Sequence, residues 1–138
     1  MVEEPRYGPG KRAVSEYREE SERLQLAPGW HWPAPPSYPD IVDGHPMKHE
    51  INMGRVDAAW FWHCTWARTY LAATDPSARD AALAEVMKLR QSAYYRWGLD
   101  ALERGWRDKV LDEVSSGDTK SFRQIIGLNC PENAESAA

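Results

Sequence analysis

A dense run of large apolar side chains from Arg55 to Ala73 dominates the hydrophobic pattern of this chain. Apolar positions recur in it at steps of three and four residues, the spacing of a helix, and they do so on two faces. One face contains Val56, Ala59, Trp60, His63, Ala67, Tyr70 and Leu71, and the other contains Ala58, Trp62, Trp66 and Ala73. A helix that is apolar over most of its circumference must be covered on several sides. The pattern therefore predicts the central helix of a small helical domain.

Further helices are predicted on both sides of the central one. A narrow apolar face surrounded by charged residues runs from Ala13 to Leu26 and ends at Pro28-Gly29. Asp75 and Pro76 form a strong start signal for a helix that continues to about Trp97. Its apolar face is predicted to be Ala82, Val86, Leu89, Ala93 and Trp97. The next helix is predicted from Asp100 to Val114, and its apolar face comprises Leu102, Trp106, Val110 and Val114. The last helix is short. It is predicted to be capped by Asp118 and stopped by Gly127, and its apolar residues are Phe122, Ile125 and Ile126.

A proline-rich segment from Trp30 to Pro39 separates the first helix from the central one. Its prolines exclude a helix and a central strand, so it is predicted to be extended. Trp30 and Trp32 flank the prolines, and this favours a strap that lies over the aromatic side chains of the domain itself. The alternative is a proline-rich ligand for an aromatic groove on another protein.

Together these elements predict an all-α fold, an irregular bundle of four to five helices around one central tryptophan-rich helix, with an extended proline-rich strap. Residues 40–54 are predicted to be a loop or a short hairpin with Asp43-Gly44 as its turn, and no other strand pair is indicated. The 138 residues suffice for one domain, which is assigned to residues 13–130. Residues 1–12 and 131–138 are expected to be disordered because of their small, charged and proline residues.

The net charge, the longest apolar run and the amino-terminal sequence limit the kinds of partner and compartment that fit this chain. The net charge of −4 argues against a nucleic-acid partner, since such proteins usually carry a basic excess. The longest apolar run, Ala58 to Ala67, is far too short to cross a membrane, so the chain is expected to be soluble as written. Residues 1–5 lack the basic and then apolar pattern of a signal peptide. An exported form would therefore need a leader or anchor outside this sequence.

Two cysteines, Cys64 and Cys130, permit either one disulfide or two free thiols. Docking of the short helix on the central helix would bring Cys130 toward Cys64. A disulfide would then indicate an oxidising compartment, whereas two reduced thiols would indicate the cytoplasm.

The side chains that could bind a metal ion lie close together in one loop. His45, His49 and Glu50 lie there with Met47 and Met53, and His63 follows on the central helix. Imidazole with thioether suits copper, and imidazole with carboxylate suits zinc, so a metal-binding protein that uses the loop His45–Met53 is one hypothesis. An enzyme that uses Cys64 or a histidine is another. His63 and Cys64 diverge by about 100° on a helix, so these two neighbours are not predicted to form a catalytic pair. No residue is predicted to be catalytic, and no cofactor is expected.

Aromatic side chains away from the predicted core provide candidate binding residues. Tyr95 and Trp97 lie among arginines near the end of the third helix, where they could stack on a ligand or contact an acidic partner. The alternative is an ordinary solvated face beside the core. The remaining candidates are the aromatic residues of the strap, Trp30, Trp32 and Tyr38.

A loose pattern of tryptophans, prolines and one cysteine runs through residues 20–100. It comprises Leu24, Ala27-Pro28-Gly29-Trp30, Trp32-Pro33, Gly54, Ala58-Ala59-Trp60-Phe61-Trp62, Cys64, Trp66 and Tyr70-Leu71. In this it resembles uncharacterised tryptophan-rich bacterial extracytoplasmic domains, which have no established activity. The resemblance implies an exported setting with a membrane anchor and carries over no catalytic residue. The sequence as a whole favours a non-enzymatic helical interaction module, an accessory to a protein partner in a membrane or envelope.

Overall fold

The protein is a bundle of helices, and the all-α prediction is confirmed. The computed structural model describes residues 6–137, and within that range it contains six α-helices and one short 3-10 helix, Lys88–Gln91. The α-helices are α1 (Gly10–Arg23), α2 (Met53–Ala72), α3 (Pro76–Met87), α4 (Ala93–Gly98), α5 (Ala101–Ser115) and α6 (Lys120–Asn129). None of these helices, and so no helix within residues 6–137, has the length and apolar character needed to span a membrane.

Helix α2 is the predicted central helix. It contacts α1, α3, α4 and α6, and residues from both of its predicted apolar faces are buried. The main core comprises Ala67, Tyr70, Ala82, Val86, Leu89, Leu111, Val114, Phe122 and Ile126. Full burial of one large apolar side chain contributes about 1.5–3 kcal/mol, so the shared core is the main source of stabilisation.

Helices α1 and α2 cross at Gly54 with their backbones in direct contact. A Cβ atom at position 54 would collide with the carbonyl oxygen of Ala13 and the amide nitrogen of Tyr17. The buried carboxylate of Glu16 spans this crossing and accepts hydrogen bonds from the backbone N–H groups of Asn52 (2.7 Å) and Gly54 (3.4 Å). Asn52 provides no side-chain cap for α2. Because the first N–H groups of a helix lack partners within it, Glu16 of α1 performs this capping role instead.

The proline-rich segment forms neither helix nor strand and lies on α1 and α2, as the strap prediction requires. The Trp32 ring lies 5.5 Å from the Phe61 ring and 5.9 Å from the Tyr17 ring, measured between centroids. The Trp30 ring lies 6.0 Å from the Phe61 ring. These separations are typical of aromatic pairs in protein cores.

The end of the strap fixes the start of α1. The Oδ1 atom of Asp40 accepts a hydrogen bond of 2.7 Å from the backbone N–H of Gly10. Close by, the Tyr38 hydroxyl donates to Asp57 over 2.6 Å, and burial together with this hydrogen bond raises the pKa of Tyr38. Helix α1 therefore begins three residues before the predicted start at Ala13, because its cap comes from a distant part of the chain.

Two pairs of two-residue antiparallel strands complete the fold. They are β1 (Tyr7–Gly8) with β4 (His49–Glu50), and β2 (Ile41–Val42) with β3 (His45–Pro46). Asp43 and Gly44 form the predicted turn between β2 and β3, with φ values of 51° and 79°. Positive φ at both positions is what a two-residue hairpin turn requires. The pair β1–β4 was not predicted, because strands of two residues are too short to show an alternating pattern.

Both ends of the chain contain strand, helix, bends or turns where the structure describes them. Arg6 lies in a bend, and residues 7–12 belong to β1, to α1 and to the junction between them. After α6 the chain continues in bends and turns to residue 137, with Asn133 and Ser136 hydrogen-bonded to each other. The rest of the two segments, residues 1–5 and 138, lies outside the described residues.

The third predicted helix is wrong as a single element. Helix α3 ends at Met87, the 3-10 helix follows, and α4 starts anew at Ala93. Ser92 causes the break, because its hydroxyl donates to the carbonyl of Leu89 (2.7 Å) and accepts from the N–H of Tyr95 (3.2 Å). A side chain that bonds to the backbone in this way favours a cap over a helix interior. Four residues of the predicted face stay buried, Ala82, Val86, Leu89 and Ala93, whereas Trp97 is turned outward.

Helix α6 is fixed to α2 at its carboxyl end. Cys64 and Cys130 form a disulfide with a Cα–Cα distance of 5.5 Å, so of the two alternatives the bridge is correct. The helix continues past Gly127, the predicted stop, to Asn129. Arg68 donates hydrogen bonds to the carbonyl groups of Ile126 (3.3 Å), Cys130 (3.1 Å) and Pro131 (2.9 Å). The Ile126 carbonyl also accepts a hydrogen bond of 3.0 Å from the backbone N–H of Cys130, and Arg68 adds a side-chain donor to the carbonyl groups at the end of the helix.

Candidate interaction surface

The predicted binding residues lie in two separate regions. Trp30, Trp32 and Tyr38 belong to the strap, where they are half-buried against α1 and α2. Tyr95 and Trp97 lie on α4 and do not contribute to the strap. The strap aromatics are therefore occupied by contacts within the domain, and the α4 pair is the more available part of the predicted set.

Two of the seven tryptophans are largely exposed. The exposed fraction is 49% for Trp97 and 63% for Trp106, whereas Trp62 is buried and the other four are half-buried. An indole ring in water exposes a large apolar area that a partner could cover. Trp97 and Trp106 are therefore the first candidates for contact residues.

Trp106 and Leu102 were predicted to face the core, and this prediction is wrong. Both are exposed, Leu102 at 64%, while Val114 in the same series is buried. A step of four residues advances about 40° beyond a full turn, so the series from 102 to 114 rotates by about 120° around the helix. Of this series, only the residue at the carboxyl-terminal end of the helix, Val114, is buried. Leu111, which is not part of the series, is also buried. A helical pattern at strict four-residue spacing should have indicated this rotation.

Polar side chains join α4 to α5 beside Trp97. The Asp108 carboxylate accepts hydrogen bonds from the Arg90 guanidinium (2.8 Å) and the Tyr95 hydroxyl (3.0 Å). The Arg90 guanidinium also pairs with Asp112 at 2.9 Å. The hydrogen bond from Arg90 is the main cause that lowers the pKa of Asp108, so this carboxylate stays ionised. Tyr95 is thus a positioned side chain of this junction.

Three guanidinium groups and two aromatic rings line an open pocket between α4 and α5. The pocket has a volume of about 540 Å³, and its lining residues are Arg90, Gln91, Tyr95, Arg96, Trp97 and Arg104. We call it the arginine pocket. The Arg96 guanidinium lies 5.2 Å from the centre of the Trp97 ring, and the Arg104 guanidinium lies 5.9 Å from that of Tyr95. Cations at such distances are attracted to the ring face.

The arginines of this pocket differ in their partners. Arg90 is neutralised by two carboxylates. Arg104 donates to the carbonyl oxygens of Tyr95 (3.0 Å) and Arg96 (3.2 Å), which fixes its position. In the part of the chain that the structure describes, neither Arg96 nor Arg104 forms an ion pair with a carboxylate. The sequence indicated Arg96 through its aromatic neighbours but gave no sign of Arg104, which comes from a different helix.

Trp106 borders a second, smaller groove between α5 and α6. The groove has a volume of about 270 Å³ and is lined by Leu99, Glu103, Trp106, Arg107, Val110 and Ile125. Four of its six lining residues are apolar, and Trp106 is one of them. The two exposed tryptophans therefore belong to different depressions on neighbouring helices.

His63 lies in the core and is not a surface ligand. Its ring is 5.4 Å from that of Trp60 and 6.1 Å from that of Phe122, and only 2% of the residue is exposed. Burial, followed by the charge of Arg107, lowers the pKa of His63 to about 3, so the ring is neutral. The cavity beside it has a volume of about 10 Å³, which is enough for about one water molecule and excludes a larger substrate.

The predicted metal ligands are not brought together. His45 is exposed in β3, Glu50 is exposed in β4, and the Nε2 atom of His49 lies 2.9 Å from the carbonyl oxygen of Pro39. His63 is in the core, among different neighbours. Among residues 6–137, no three side chains of His, Cys, Asp or Glu are grouped so that they could hold a metal ion. The metal hypothesis therefore gains no geometric support.

The enzyme hypothesis loses its nucleophile. Cys64 is bonded to Cys130, so its sulfur is not a free thiolate, and the neighbouring His63 is buried. Nucleophilic catalysis by cysteine requires a thiolate with access to substrate. A catalytic role for Cys64 does not fit this arrangement.

The chain was also compared with known proteins. Models of protein families, curated proteins and solved structures gave no match. The interpretation of the surface therefore depends on its chemistry alone.

Proposed function

We propose that this protein is a non-enzymatic helical interaction module that acts outside the cytoplasm as an accessory to a protein partner of a membrane or envelope. The observation that carries the proposal is the exposure of Trp97 and Trp106, at 49% and 63%, in a chain whose other tryptophans are buried or half-buried. Tryptophan and arginine are the residue types that most often dominate the energy of protein interfaces. Both types meet in the arginine pocket.

The fold around the two tryptophans is suited to binding without rearrangement. Arg104, Tyr95 and Asp108 hold α4 against α5 by hydrogen bonds, so the two helices that carry the exposed rings are held together before a partner arrives. A preorganised surface loses less conformational entropy when it binds. This supports a constitutive contact surface.

The compartment in the proposal depends on the disulfide. The Cys64–Cys130 bridge joins residues that are 66 positions apart in the sequence. Such bridges form and persist mainly in oxidising compartments such as the periplasm and the cell exterior. The resemblance of residues 20–100 to tryptophan-rich extracytoplasmic domains is consistent with this.

The proposal is tested by the variants Trp97→Ala and Trp106→Ala in the native cell. Leu128→Ala is the matched control, because Leu128 is 79% exposed, apolar and on α6. Truncation of a tryptophan hot spot costs at least about 2 kcal/mol, which corresponds to a loss of affinity of about 30-fold. We expect one or more proteins that co-purify with the native chain to be lost with at least one tryptophan variant and retained with the control. Recovery that is equal for all three variants would contradict the proposal.

A further inference from the structure

The arginine pocket has a local charge opposite to that of the whole chain. The chain carries a net charge of −4, yet no acidic residue is among those that line the pocket. Arg90 is neutralised by Asp108 and Asp112, so of the three arginines in the pocket Arg96 and Arg104 are the two that form no ion pair with residues 6–137. Two such groups on one wall attract an anion.

The geometry of the two arginines suits a carboxylate. Arg104 uses Nε and Nη2 for its hydrogen bonds to backbone carbonyls, so its Nη1 remains for a ligand. Arg96 lies over the Trp97 ring, and none of its guanidinium nitrogens donates a hydrogen bond to residues 6–137. Guanidinium groups held in place bind carboxylates through directional, charge-assisted hydrogen bonds. The half-exposed Trp97 ring lies next to this position and can cover an apolar side chain.

The surroundings of the pocket favour a short acidic segment over a polyanion. Helix α5, which provides Arg104, has the exposed residues Glu103 and Asp112, and Asp100, which caps it, is also exposed. Nucleic acids and anionic membranes need an extended basic surface, because their affinity grows with the number of charges neutralised. Neighbouring carboxylates would repel them, whereas a single carboxylate needs only the two arginines.

We infer that the arginine pocket binds an acidic residue of the protein partner, with its carboxylate between Arg96 and Arg104 and an adjacent apolar side chain on Trp97. This inference rests on the proposed function and adds the chemistry of the partner at one of its contact points. It applies to the pocket of Trp97 and not to the groove of Trp106.

The probe is a blocked peptide in which two Glu residues flank one Leu, and its counterpart has Gln at both positions. Binding is followed in the full chain through the indole N–H resonance of Trp97 in ¹H–¹⁵N NMR spectra, assigned with Trp97→Phe. We expect the acidic peptide to shift this resonance saturably, with at least about tenfold weaker binding of the Gln peptide, because hydrogen bonds to an ionised carboxylate are stronger than hydrogen bonds to a neutral amide. Equal binding of both peptides, or no saturable shift, would overturn the inference.

Two charge-reversal variants complete the experiment. Arg96→Glu should lower the affinity for the acidic peptide at least about tenfold. Lys109→Glu, which makes an equal change of net charge at an exposed site on α5, should change that affinity less than about twofold. Equal losses in both variants would show a general charge effect and overturn the inference. Inorganic phosphate and phosphatidylglycerol vesicles serve as competing ligands. A saturable Trp97 shift with either of them, and none with the peptide, would assign the pocket to a phosphate anion or to a membrane instead.

A failure of this inference can be distinguished from a failure of the proposed function. If the tryptophan variants lose partners in the cell but the peptide does not bind, the interaction module stands and the acidic contact is wrong. If the tryptophan variants lose no partner, the proposed function fails whatever the peptide does.

Discussion

Burial of a single histidine makes the stability of this protein depend on pH. The pKa of His63 is lowered to about 3 in the folded protein, and its ordinary value in an unfolded chain is about 6.5. Between these values the unfolded chain binds a proton that the folded chain does not. The free energy of unfolding therefore falls as the pH is lowered through this range. Arg107 adds to the effect, because its positive charge opposes a second charge on the His63 ring.

We predict that this one group removes about 2 kcal/mol from the free energy of unfolding between pH 7 and pH 5. Denaturant titrations at the two pH values measure the loss for the native chain and for His63→Leu. The variant should show a pH dependence smaller by about that amount. His31→Gln, at an exposed histidine of the strap, is the control and should keep the native dependence. An unchanged dependence in His63→Leu would show that the ring is not buried as described.

At the scale of elements, the fold depends on how closely two helix backbones approach. Helices α1 and α2 touch at Gly54, where any side chain would meet backbone atoms of Ala13 and Tyr17. Backbone atoms cannot move aside as the end of a flexible side chain can. The approach also places Glu16 within reach of the amino terminus of α2.

The contrast between two helical glycines tests this crossing. Gly54→Ala should lower the free energy of unfolding by at least about 2 kcal/mol, because overpacking forces the two helices apart. Gly105→Ala is the matched substitution in the middle of α5, where a Cβ atom meets no neighbour within 4 Å. It should raise the free energy of unfolding by about 0.5–1 kcal/mol, because alanine favours a helix more than glycine does. Thermal and denaturant unfolding measure both changes in the free energy of unfolding. A change in the same direction for the two substitutions would contradict the described crossing.

Local patterns in the sequence predicted those elements whose signals are local. The two-faced apolar pattern of residues 55–73 gave α2, the prolines gave the strap, and Asp43-Gly44 gave the turn of the hairpin. The break at Ser92 was missed because buried positions continue at helical spacing across it, from Leu89 to Ala93. Hydrophobic spacing reports burial, and two short helices can bury residues at the same spacing as one long helix.

The candidate surface was predicted only in part, for a related reason. Tyr95 and Trp97 were found through their arginine neighbours in sequence, but Arg104 reaches the same pocket from another helix. Four-residue spacing predicted one apolar face for Trp106 and Val114, although each such step rotates by about 40° around the helix. Which side of α5 is covered depends on the packing of α6, and that arrangement has no local signal.

At the scale of the whole molecule, the disulfide joins the carboxyl end of the chain to its central helix. A bridge that closes a loop of 66 residues stabilises the folded state by about 4 kcal/mol on the chain-entropy estimate. Helix α6 is only ten residues long, and isolated helices of that length are marginal. The bridge therefore contributes much of what keeps Phe122 and Ile126 in the core.

We predict no free thiol in the denatured, unreduced protein and two after reduction. Reduction should lower the free energy of unfolding by about 4 kcal/mol. The double variant Cys64→Ala with Cys130→Ala is the control, since the reductant should leave its stability unchanged. Two free thiols in protein isolated without reductant would remove the bridge and, with it, the main support for an oxidising compartment.

The central claim is that exposed tryptophans of α4 and α5 contact a protein partner, and photo-crosslinking in the intact native cell tests it most directly. A photoreactive amino acid replaces Trp97, Trp106 or, as the control, Leu128 on α6, one position at a time. We predict that position 97 or position 106 gives a discrete adduct with one protein and that position 128 gives no such adduct. No adduct from either tryptophan position, or the same adducts from all three positions, would contradict the account.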